Sequence, residues 1–221
     1  MKINSIAICS GFYMNHFTTI STASHLYKVY ALAESLSSHG NDFILNVLVV
    51  DDNKKYNFPN CRFFRLTDIE QEENAADIIS KYRNNKNRLR WSLKPVMMKF
   101  LLGAGSAQKV IYLDNDLFFF SGFNFLFDLL DEHSFLLTPH YYKNDPNKEQ
   151  NWLEANFKLG LYNAGFVGAN QKAVESLQWW ANCCLYRCEK NSFRGLFDDQ
   201  KYLDIIPVRE PSAHVVRHKG C

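Results

Sequence analysis

Short apolar runs alternate with amphipathic segments along the chain, and this alternation predicts an α/β protein. Residues 43–50 are apolar on both faces, which is typical of a strand buried on both sides of a sheet. Similar runs predict strands at 3–9, 62–66, 109–113, 134–138 and 160–169. Helical periodicity predicts helices at 22–38, 68–83, 95–102, 123–130 and 171–189. We therefore expect an α/β/α sandwich around a mostly parallel, mixed central sheet.

Three remaining segments lack a continuous periodic pattern. We expect a polar and aromatic loop at 10–19, a long polar loop at 139–158, and two short extended pieces within 205–216. No linker-like composition or internal repeat divides the chain, so we expect residues 1–221 to form one domain.

Asp114-Asn115-Asp116 stands where the apolar run 109–113 ends. On an extended chain, alternate residues point to the same side, so the two carboxylates suit a divalent cation such as Mg²⁺ or Mn²⁺. The same tripeptide is also a good turn sequence. A second acidic pair, Asp51 and Asp52, follows the run 43–50, and ligands of parallel sheets bind at such carboxyl ends. The shared position favours the metal interpretation.

Other polar positions add candidate chemistry. Asn163, Ala164 and Gly165 interrupt an apolar run, which indicates either a ligand contact or a strand bulge. Asp199 is either a helix cap or a carboxylate in a cleft. His214 and His218 are either metal ligands or, as lone histidines more often are, structural or exposed side chains. A cationic segment is able to hold phosphate or to form a solvated surface; it contains Lys81, Arg83, Lys86, Arg88, Arg90 and Lys94.

Composition limits the remaining possibilities. The net charge is +2, from 25 basic and 23 acidic side chains, so nucleic-acid binding is not expected. We expect no signal peptide and no membrane-spanning segment, and a cytoplasmic location, either soluble or peripheral to a membrane. The six cysteines lack the spacing of a secreted disulfide framework. Cys184 and Cys188 are spaced for a shared metal but have no second ligand pair, which favours ordinary buried thiols.

The order of five motifs resembles the nucleotide-sugar glycosyltransferases of GT-A fold, related to the glycogenin and lipopolysaccharide galactosyltransferase group and of bacterial polysaccharide type. The motifs are Lys94-Pro95, Val110-Ile111-Tyr112-Leu113-Asp114-Asn115-Asp116, Tyr162-Asn163-Ala164-Gly165-Phe166, Phe197-Asp198-Asp199-Gln200-Lys201 and His218-Lys219-Gly220. The similarity covers most of the chain. Members of this group continue beyond the last motif, so we expect the chain to be part of a longer protein.

The resemblance implies metal-dependent transfer of a sugar from a nucleoside-diphosphate sugar to a glycan or lipid-linked acceptor. Asp114, Asp116 and His218 would hold Mn²⁺ or Mg²⁺, with His214 in reserve. The family's donor-binding positions would be Asp51, Asp52, Lys94, Asn115, Asn163, Ala164 and Gly165. Asp199 and Gln200 would lie near the anomeric carbon as catalytic residues, and residue types leave both inversion and retention open.

Two other functions remain open at this point. A nucleotidyl or phosphoryl transferase also uses aspartate pairs with Mg²⁺, although the chain has no P-loop sequence. A non-catalytic nucleotide- or glycan-binding module is the other. Under the glycosyltransferase hypothesis, the aromatic-bearing loop 139–158 would form a lid on the acceptor side.

Overall fold

A computed structural model describes residues 14–103 and 106–218 of the chain, in which a seven-stranded sheet carries helices on both faces. The strands are β1 (Asn15–Ser21), β2 (Phe43–Val49), β3 (Cys61–Arg65), β4 (Lys109–Leu113), β5 (Phe135–Pro139), β6 (Tyr162–Asn170), β7 (Lys190–Asn191), β8 (Leu196–Phe197) and β9 (Ala213–Val215). The helices are α1 (Leu26–Ser37), α2 (Leu66–Ile69), α3 (Ala75–Tyr82), α4 (Lys86–Ser92), α5 (Lys94–Gly103), α6 (Asn124–Glu132), α7 (Gln150–Leu159), α8 (Val174–Tyr186) and α9 (Ile206–Arg209).

The sheet order is β3-β2-β1-β4-β6-β5-β9, and β7 pairs with β8 separately. Within the seven-stranded sheet, neighbouring strands run parallel except where β6 lies antiparallel to β4 and β5. Side chains alternate between two cores across the sheet: Val110 and Tyr112 of β4 pack on the side of α5 and α8, whereas Ile111 and Leu113 pack on the side of α1 and α6. The predicted α/β sandwich with a mostly parallel sheet is confirmed.

The start of the sheet differs from the sequence prediction. The strand predicted at 3–9 lies outside the described residues, and the segment 10–19, predicted as a loop, contains most of β1, a central strand. The loop prediction was therefore wrong for the part of it in β1. The segment carries Thr18 and Thr19, whose branched side chains suit a strand, and Thr18 Oγ1 donates to the carbonyl oxygen of Asn46 at 3.0 Å. Polar residues such as Thr18 and Thr19 interrupt the apolar pattern of this segment. For that reason the sequence pattern alone predicted a loop here.

Helical segments also differ in detail. The helix predicted at 68–83 is two helices, α2 and α3, separated by a turn in which Asn74 adopts a left-handed backbone with φ of 70°. The long loop predicted at 139–158 contains most of α7, and 205–216 holds α9 and β9 rather than two extended pieces. Helix α4 was not predicted; it begins after Asn85, whose side chain accepts a hydrogen bond from Arg88 N at 3.0 Å.

The cysteine pair at positions 184 and 188 lies in the core. Cys184 and Cys188 are free and buried, as expected for ordinary core thiols, and burial raises the pKa of Cys184 well above its usual value. Cys9 and Cys221 lie outside the described residues.

Within residues 14–103 and 106–218, no helix has the length and apolarity required to cross a bilayer.

Candidate active site

The candidate site lies where parallel strands β1, β2 and β4 end and antiparallel β6 begins. Leu113, the last residue of β4, pairs with Phe166 of β6, so Asp114 comes next to the Asn163-Ala164-Gly165 segment. The Asp114 backbone N–H donates to the Gly165 carbonyl oxygen at 2.8 Å. Two of the motifs singled out in the sequence therefore meet at one edge of the sheet because their strands are direct neighbours.

The Asp114 carboxylate is held through one of its two oxygen atoms. Its Oδ1 accepts a hydrogen bond from the Tyr112 hydroxyl at 2.8 Å and lies 3.3 Å from Lys94 Nζ. Tyr112 is fully buried, and burial together with the Asp114 charge raises its pKa well above the usual value. The phenol therefore stays protonated and donates to Asp114, which orients the carboxylate.

Gly165 leaves room for that carboxylate. A Cβ atom at position 165 would lie 2.9 Å from Asp114 Oδ2, closer than real Cβ atoms come to a neighbour, and 3.0 Å from Asn163 Oδ1, which is also a tight contact. Asn163 Oδ1 accepts a hydrogen bond from Gly165 N at 2.8 Å. The glycine is required by the close approach of Asp114 itself, which the sequence interpretation as a ligand contact or bulge had not identified.

Asn115 and Asp116 differ in their surroundings. Asn115 is buried, and its Nδ2 donates to Ser21 Oγ at 3.0 Å, which ties the turn to the end of β1. Asp116 is exposed, and no other described residue forms a hydrogen bond or ion pair with its carboxylate. Asp114-Asn115-Asp116 is thus both a turn and a pair of carboxylates, one anchored and one open to solvent.

Lys94 is the buried cation of the site. Only 2% of the residue is exposed, and its Nζ donates to the Ala164 carbonyl oxygen at 3.0 Å. The same nitrogen lies 3.2 Å from Asp199 Oδ2, which brings together a third part of the chain. Burial would lower the pKa of Lys94, but the charges of Asp114 and Asp199 outweigh it and raise the pKa above its usual value.

Asp199 is buried beside this lysine, with 3% of its surface exposed. Burial raises the pKa of Asp199 to about 6, and the Lys94 charge opposes the shift without cancelling it. Its Oδ2 has no well-aligned hydrogen bond from another described residue, so the contact with Lys94 is mainly electrostatic. The carboxylate combines a raised pKa with an unused acceptor position, which is typical of a functional group.

Gln200 connects the donor side of the site to helix α7. Its Oε1 accepts a hydrogen bond from Ala164 N at 3.4 Å, and its Nε2 donates to the carbonyl oxygen of Leu159, the last residue of α7, at 2.9 Å. The amide therefore holds three segments together beside Asp199.

The acidic pair after β2 is already engaged with the protein. Asp51 accepts hydrogen bonds from Ala23 N at 2.8 Å and from Lys86 Nζ at 2.6 Å. Burial opposes ionisation, but these two donors hold the pKa of Asp51 below its usual value. Asp52 accepts from Lys54 N and from the Tyr56 hydroxyl, at 2.8 and 2.9 Å, which lowers its pKa as well.

A polar cavity of about 130 Å³ lies between the cationic segment and Asp114-Asn115-Asp116. Its other lining residues are Ile20, Arg90, Trp91 and Tyr112. Arg90 belongs to the cationic segment recognised in the sequence. The sequence did not single out Arg90, Trp91 or Tyr112 individually as site residues. Tyr112 precedes Asp114 by two residues, so the alternation of side chains along β4 could have indicated that both lie on the same side of the sheet. Arg90 and Trp91 reach the cavity only through the packing of α4, which the sequence pattern does not indicate.

The two histidines proposed as metal ligands lie in different places. His214 belongs to edge strand β9, and its ring stacks on His133 with centroids 4.4 Å apart. Two strands separate β9 from β4, a distance of about 14 Å across the sheet. His218 contacts Phe125 and lines an apolar cavity of about 190 Å³ with Asn163 and Phe166. The rest of its motif, Lys219 and Gly220, lies outside the described residues.

Asp114 and Asp116 meet part of what a divalent cation needs from a protein. Among the described residues, no three His, Cys, Asp or Glu side chains are grouped to hold a metal ion. Asp114 and Asp116 nevertheless supply hard oxygen donors, and Gly165 keeps Asp114 Oδ2 clear of a side chain. The residues fit Mg²⁺ or Mn²⁺ as a two-carboxylate set that leaves positions for phosphate oxygens and water.

Comparison with known sequences identifies a family and two relatives. The family model described as glycosyl transferase family 8 matches residues 16–192. YfnD of Bacillus subtilis strain 168, an uncharacterized protein, is 29% identical over 212 residues, which are 93% of this chain and 66% of YfnD. YfnF of the same strain, also uncharacterized, is 26% identical over 205 residues, which are 89% of this chain and 66% of YfnF. The chain thus spans just under two thirds of these relatives.

Solved structures share the fold. The glycosyltransferase GlyE of Streptococcus pneumoniae TIGR4 is 15% identical with a TM-score of 0.55, covering 93% of this chain and 45% of GlyE. An active-site mutant of LgtC is 12% identical with a TM-score of 0.55, and the overlap is 91% of this chain and 72% of LgtC. The galactosyltransferase LgtC in complex with donor and acceptor sugar analogs is 13% identical with a TM-score of 0.52. The overlap is 91% of this chain and 73% of that LgtC chain. The predicted GT-A fold is confirmed.

Proposed function

The chain belongs to glycosyl transferase family 8, and we propose that it transfers a sugar from a nucleoside-diphosphate sugar to a hydroxyl group of a glycan or lipid-linked acceptor. The proposal includes a requirement for Mn²⁺ or Mg²⁺. The observation that carries it is the position of Lys94, which lies 3.3 Å from Asp114 and 3.2 Å from Asp199 and so joins two carboxylates across the site.

The carboxylate of Asp114 and that of Asp116 would hold the divalent cation. Such a cation, when bound, supplies positive charge that stabilises the diphosphate as it leaves the sugar. Lys94 stays protonated because two carboxylates face it, so its charge is also present at this side of the site. Arg90 adds a further cation at the wall of the polar cavity.

Asp199 acts on the other side of Lys94 in this proposal. Its carboxylate has an unused acceptor position, which supports a role in which Asp199 would accept a proton from an acceptor hydroxyl or stabilise positive charge on the sugar. Gln200 positions this region by bonding to Ala164 and Leu159 at once. Lys94 separates Asp199 from Asp114, which keeps the two carboxylate functions distinct.

The remaining donor contacts follow the same edge of the sheet. Asp51 or Asp52 would contact the nucleoside, although both already accept protein hydrogen bonds, so one of these would be exchanged on binding. Asn163, Ala164 and Gly165 would contact the donor sugar, with Asn115 beside the diphosphate. We propose His218 as the third metal ligand. The chain that follows β9 leads to His218, which lines the same cavity as Asn163.

The test uses the chain with Mn²⁺ and a panel of UDP-, dTDP-, GDP- and ADP-sugars. Nucleotide release is measured with and without EDTA, together with the shift in unfolding temperature that each nucleotide produces. We expect one donor class to bind and to release its nucleotide only with metal present. Failure of every donor to bind or react, with or without metal, would overturn the proposal, and binding without any turnover would identify a binding module instead.

A further inference from the structure

We propose that the apolar cavity beside Asn163 binds the hydrocarbon part of the acceptor, so that the acceptor is an amphiphile such as a lipid-linked sugar rather than a free glycan. This inference rests on the proposed glycosyltransferase function and narrows the class of its second substrate. The cavity has a volume of about 190 Å³, and its lining begins at Leu117, the residue after Asp116.

One wall of the apolar cavity comes from residues 117–123, an uncharged segment with four phenylalanines. Its middle is fixed to α1, because Phe119 N donates to Ser35 Oγ at 3.1 Å. The Phe119 ring packs edge-on against Phe17 of β1, with ring centroids 5.9 Å apart. The wall is therefore held in place by the fold itself, without a bound ligand.

Two phenylalanines that line the apolar cavity are exposed to solvent. Phe118 is 55% exposed and Phe120 is 86% exposed, whereas Phe119 between them is half-buried. The centroids of the two exposed rings lie 4.9 Å apart with 49° between the planes, so the rings are tilted rather than stacked face to face. Their faces remain available, and exposed apolar groups that adjoin a cavity are typical of a binding site.

The inner part of the apolar cavity suits hydrocarbon. Leu126 of α6 and Phe166 of β6 close it and are almost completely buried. Its described lining includes no Asp, Glu, Lys or Arg, so an anionic group there would lose its hydration and meet no lysine or arginine. An apolar cavity of about 150 Å³ in another protein binds benzene, so this cavity has room for one ring or a short alkyl chain.

A polar end of the apolar cavity lies at the candidate site. Thr138 of β5 and Asn163 of β6 line the cavity from neighbouring strands. The Thr138 hydroxyl and Asn163 Nδ2 form no hydrogen bond with another described residue, and both are able to donate to a ligand hydroxyl group. An amphiphile with its hydrocarbon part against the phenylalanines would hold its hydroxyl groups beside Asn163. This arrangement suits transfer, because the acceptor hydroxyl has to meet the donor sugar.

The test measures the affinity of n-alkyl β-D-glucopyranosides and β-D-galactopyranosides for the chain without nucleotide or metal. Methyl, butyl, hexyl and octyl glycosides are titrated calorimetrically below their critical micelle concentrations. One double variant combines Phe118→Ser with Phe120→Ser. The control combines Phe157→Ser with Phe193→Ser and so removes two exposed rings that do not line the apolar cavity. Unfolding temperature and sedimentation are measured for every sample.

We expect the affinity of the unmodified chain to rise about fourfold for each methylene group buried, and to level off once the cavity is full. The variant of Phe118 and Phe120 should lose roughly tenfold in affinity for the octyl glycoside. The control should bind as the unmodified chain does. In transfer assays, a longer alkyl chain should lower KM for the acceptor far more than it changes kcat.

Three results would overturn the inference. The first is an affinity that does not depend on alkyl length, and the second is an equal loss in the two double variants. The third is a change of oligomeric state on loss of Phe118 and Phe120, which would assign these rings to a contact between copies of the chain. Donor titration on the same samples separates this inference from the proposed function. If the donor binds while alkyl length has no effect, only the cavity assignment is wrong; if no donor binds, the proposed function fails whatever the glycosides do.

Discussion

Lys94 Nζ lies 3.2 Å from Asp199 Oδ2, and both residues are almost completely buried. An ion pair removed from water costs desolvation energy on both partners, so the attraction between the two charges has to offset that cost. Lys94 gains further from Asp114 and from the Ala164 carbonyl group. The arrangement makes one lysine both a structural centre and the cation of the candidate site, and it leads to predictions about stability as well as binding.

Lys94→Met should destabilise the protein strongly. The substitution keeps an unbranched side chain of similar length but leaves the buried Asp199 carboxylate without its counter-charge, a loss of about 3–5 kcal/mol in the free energy of unfolding. Urea unfolding at neutral pH measures it. Lys99→Met is the matched control on the same helix, because Lys99 pairs with Glu72 and Glu73 at 3.8 and 3.7 Å nearer the surface. Equal costs for the two variants would contradict the prediction.

The stability difference between Asp199→Asn and the unmodified chain should depend on pH. Burial raises the pKa of Asp199 from 3.8 to about 6, so the folded protein binds this proton more tightly than the unfolded chain does. The resulting stabilisation is complete below about pH 4 and is lost as the pH rises through 6. Asparagine does not titrate, so the variant avoids this loss.

Relative to the unmodified chain, Asp199→Asn should therefore become more stable by up to about 3 kcal/mol between pH 4 and pH 7. Urea unfolding at one-unit pH intervals measures the difference directly. A difference that stays constant over this interval would show that Asp199 titrates as it does in the unfolded chain.

Asp116→Asn should abolish the metal-dependent part of donor binding while leaving the fold intact. The side chain is exposed and engages no other described residue, so the unfolding temperature should change little. Nucleotide titration with and without Mn²⁺ provides the measurement. Asp128→Asn, an exposed aspartate of α6, is the control and should bind as the unmodified chain does. An unchanged titration of Asp116→Asn would remove this residue from the metal site.

Gly165→Ala should weaken donor and metal binding more than it weakens the fold. The added Cβ would meet Asp114 Oδ2 at 2.9 Å, so the carboxylate has to rotate away from its position. We expect a loss of at least about tenfold in Mn²⁺-dependent nucleotide affinity, as for a displaced charged contact. Gly103→Ala has no neighbour within 4 Å of its added Cβ and is the control. Full affinity in Gly165→Ala would mean that Asp114 is not needed in its present position.

Sequence patterns identified the ends of the buried strands well. The apolar run of β4 ends at Leu113, and Asp114 follows at the carboxyl edge as predicted. The same reasoning missed β1, because a central strand whose Thr18 bonds to Asn46 has no continuous apolar pattern. It also missed α7, a largely polar helix whose buried residue is Ala155. Its position depends on bonds to Gln200 and Asp204, which are distant in the chain.

The sequence by itself determined the class of the sheet, the carboxylates at its edge and the family resemblance, because strand periodicity and motif order are local properties of the chain. Tertiary structure alone decided that Lys94 joins Asp114 to Asp199 and that Arg90 and Trp91 line the same polar cavity. It also revealed that Gly165 makes room for Asp114. Such relationships arise where distant segments meet, and their energies depend on burial and distance, which no local pattern encodes.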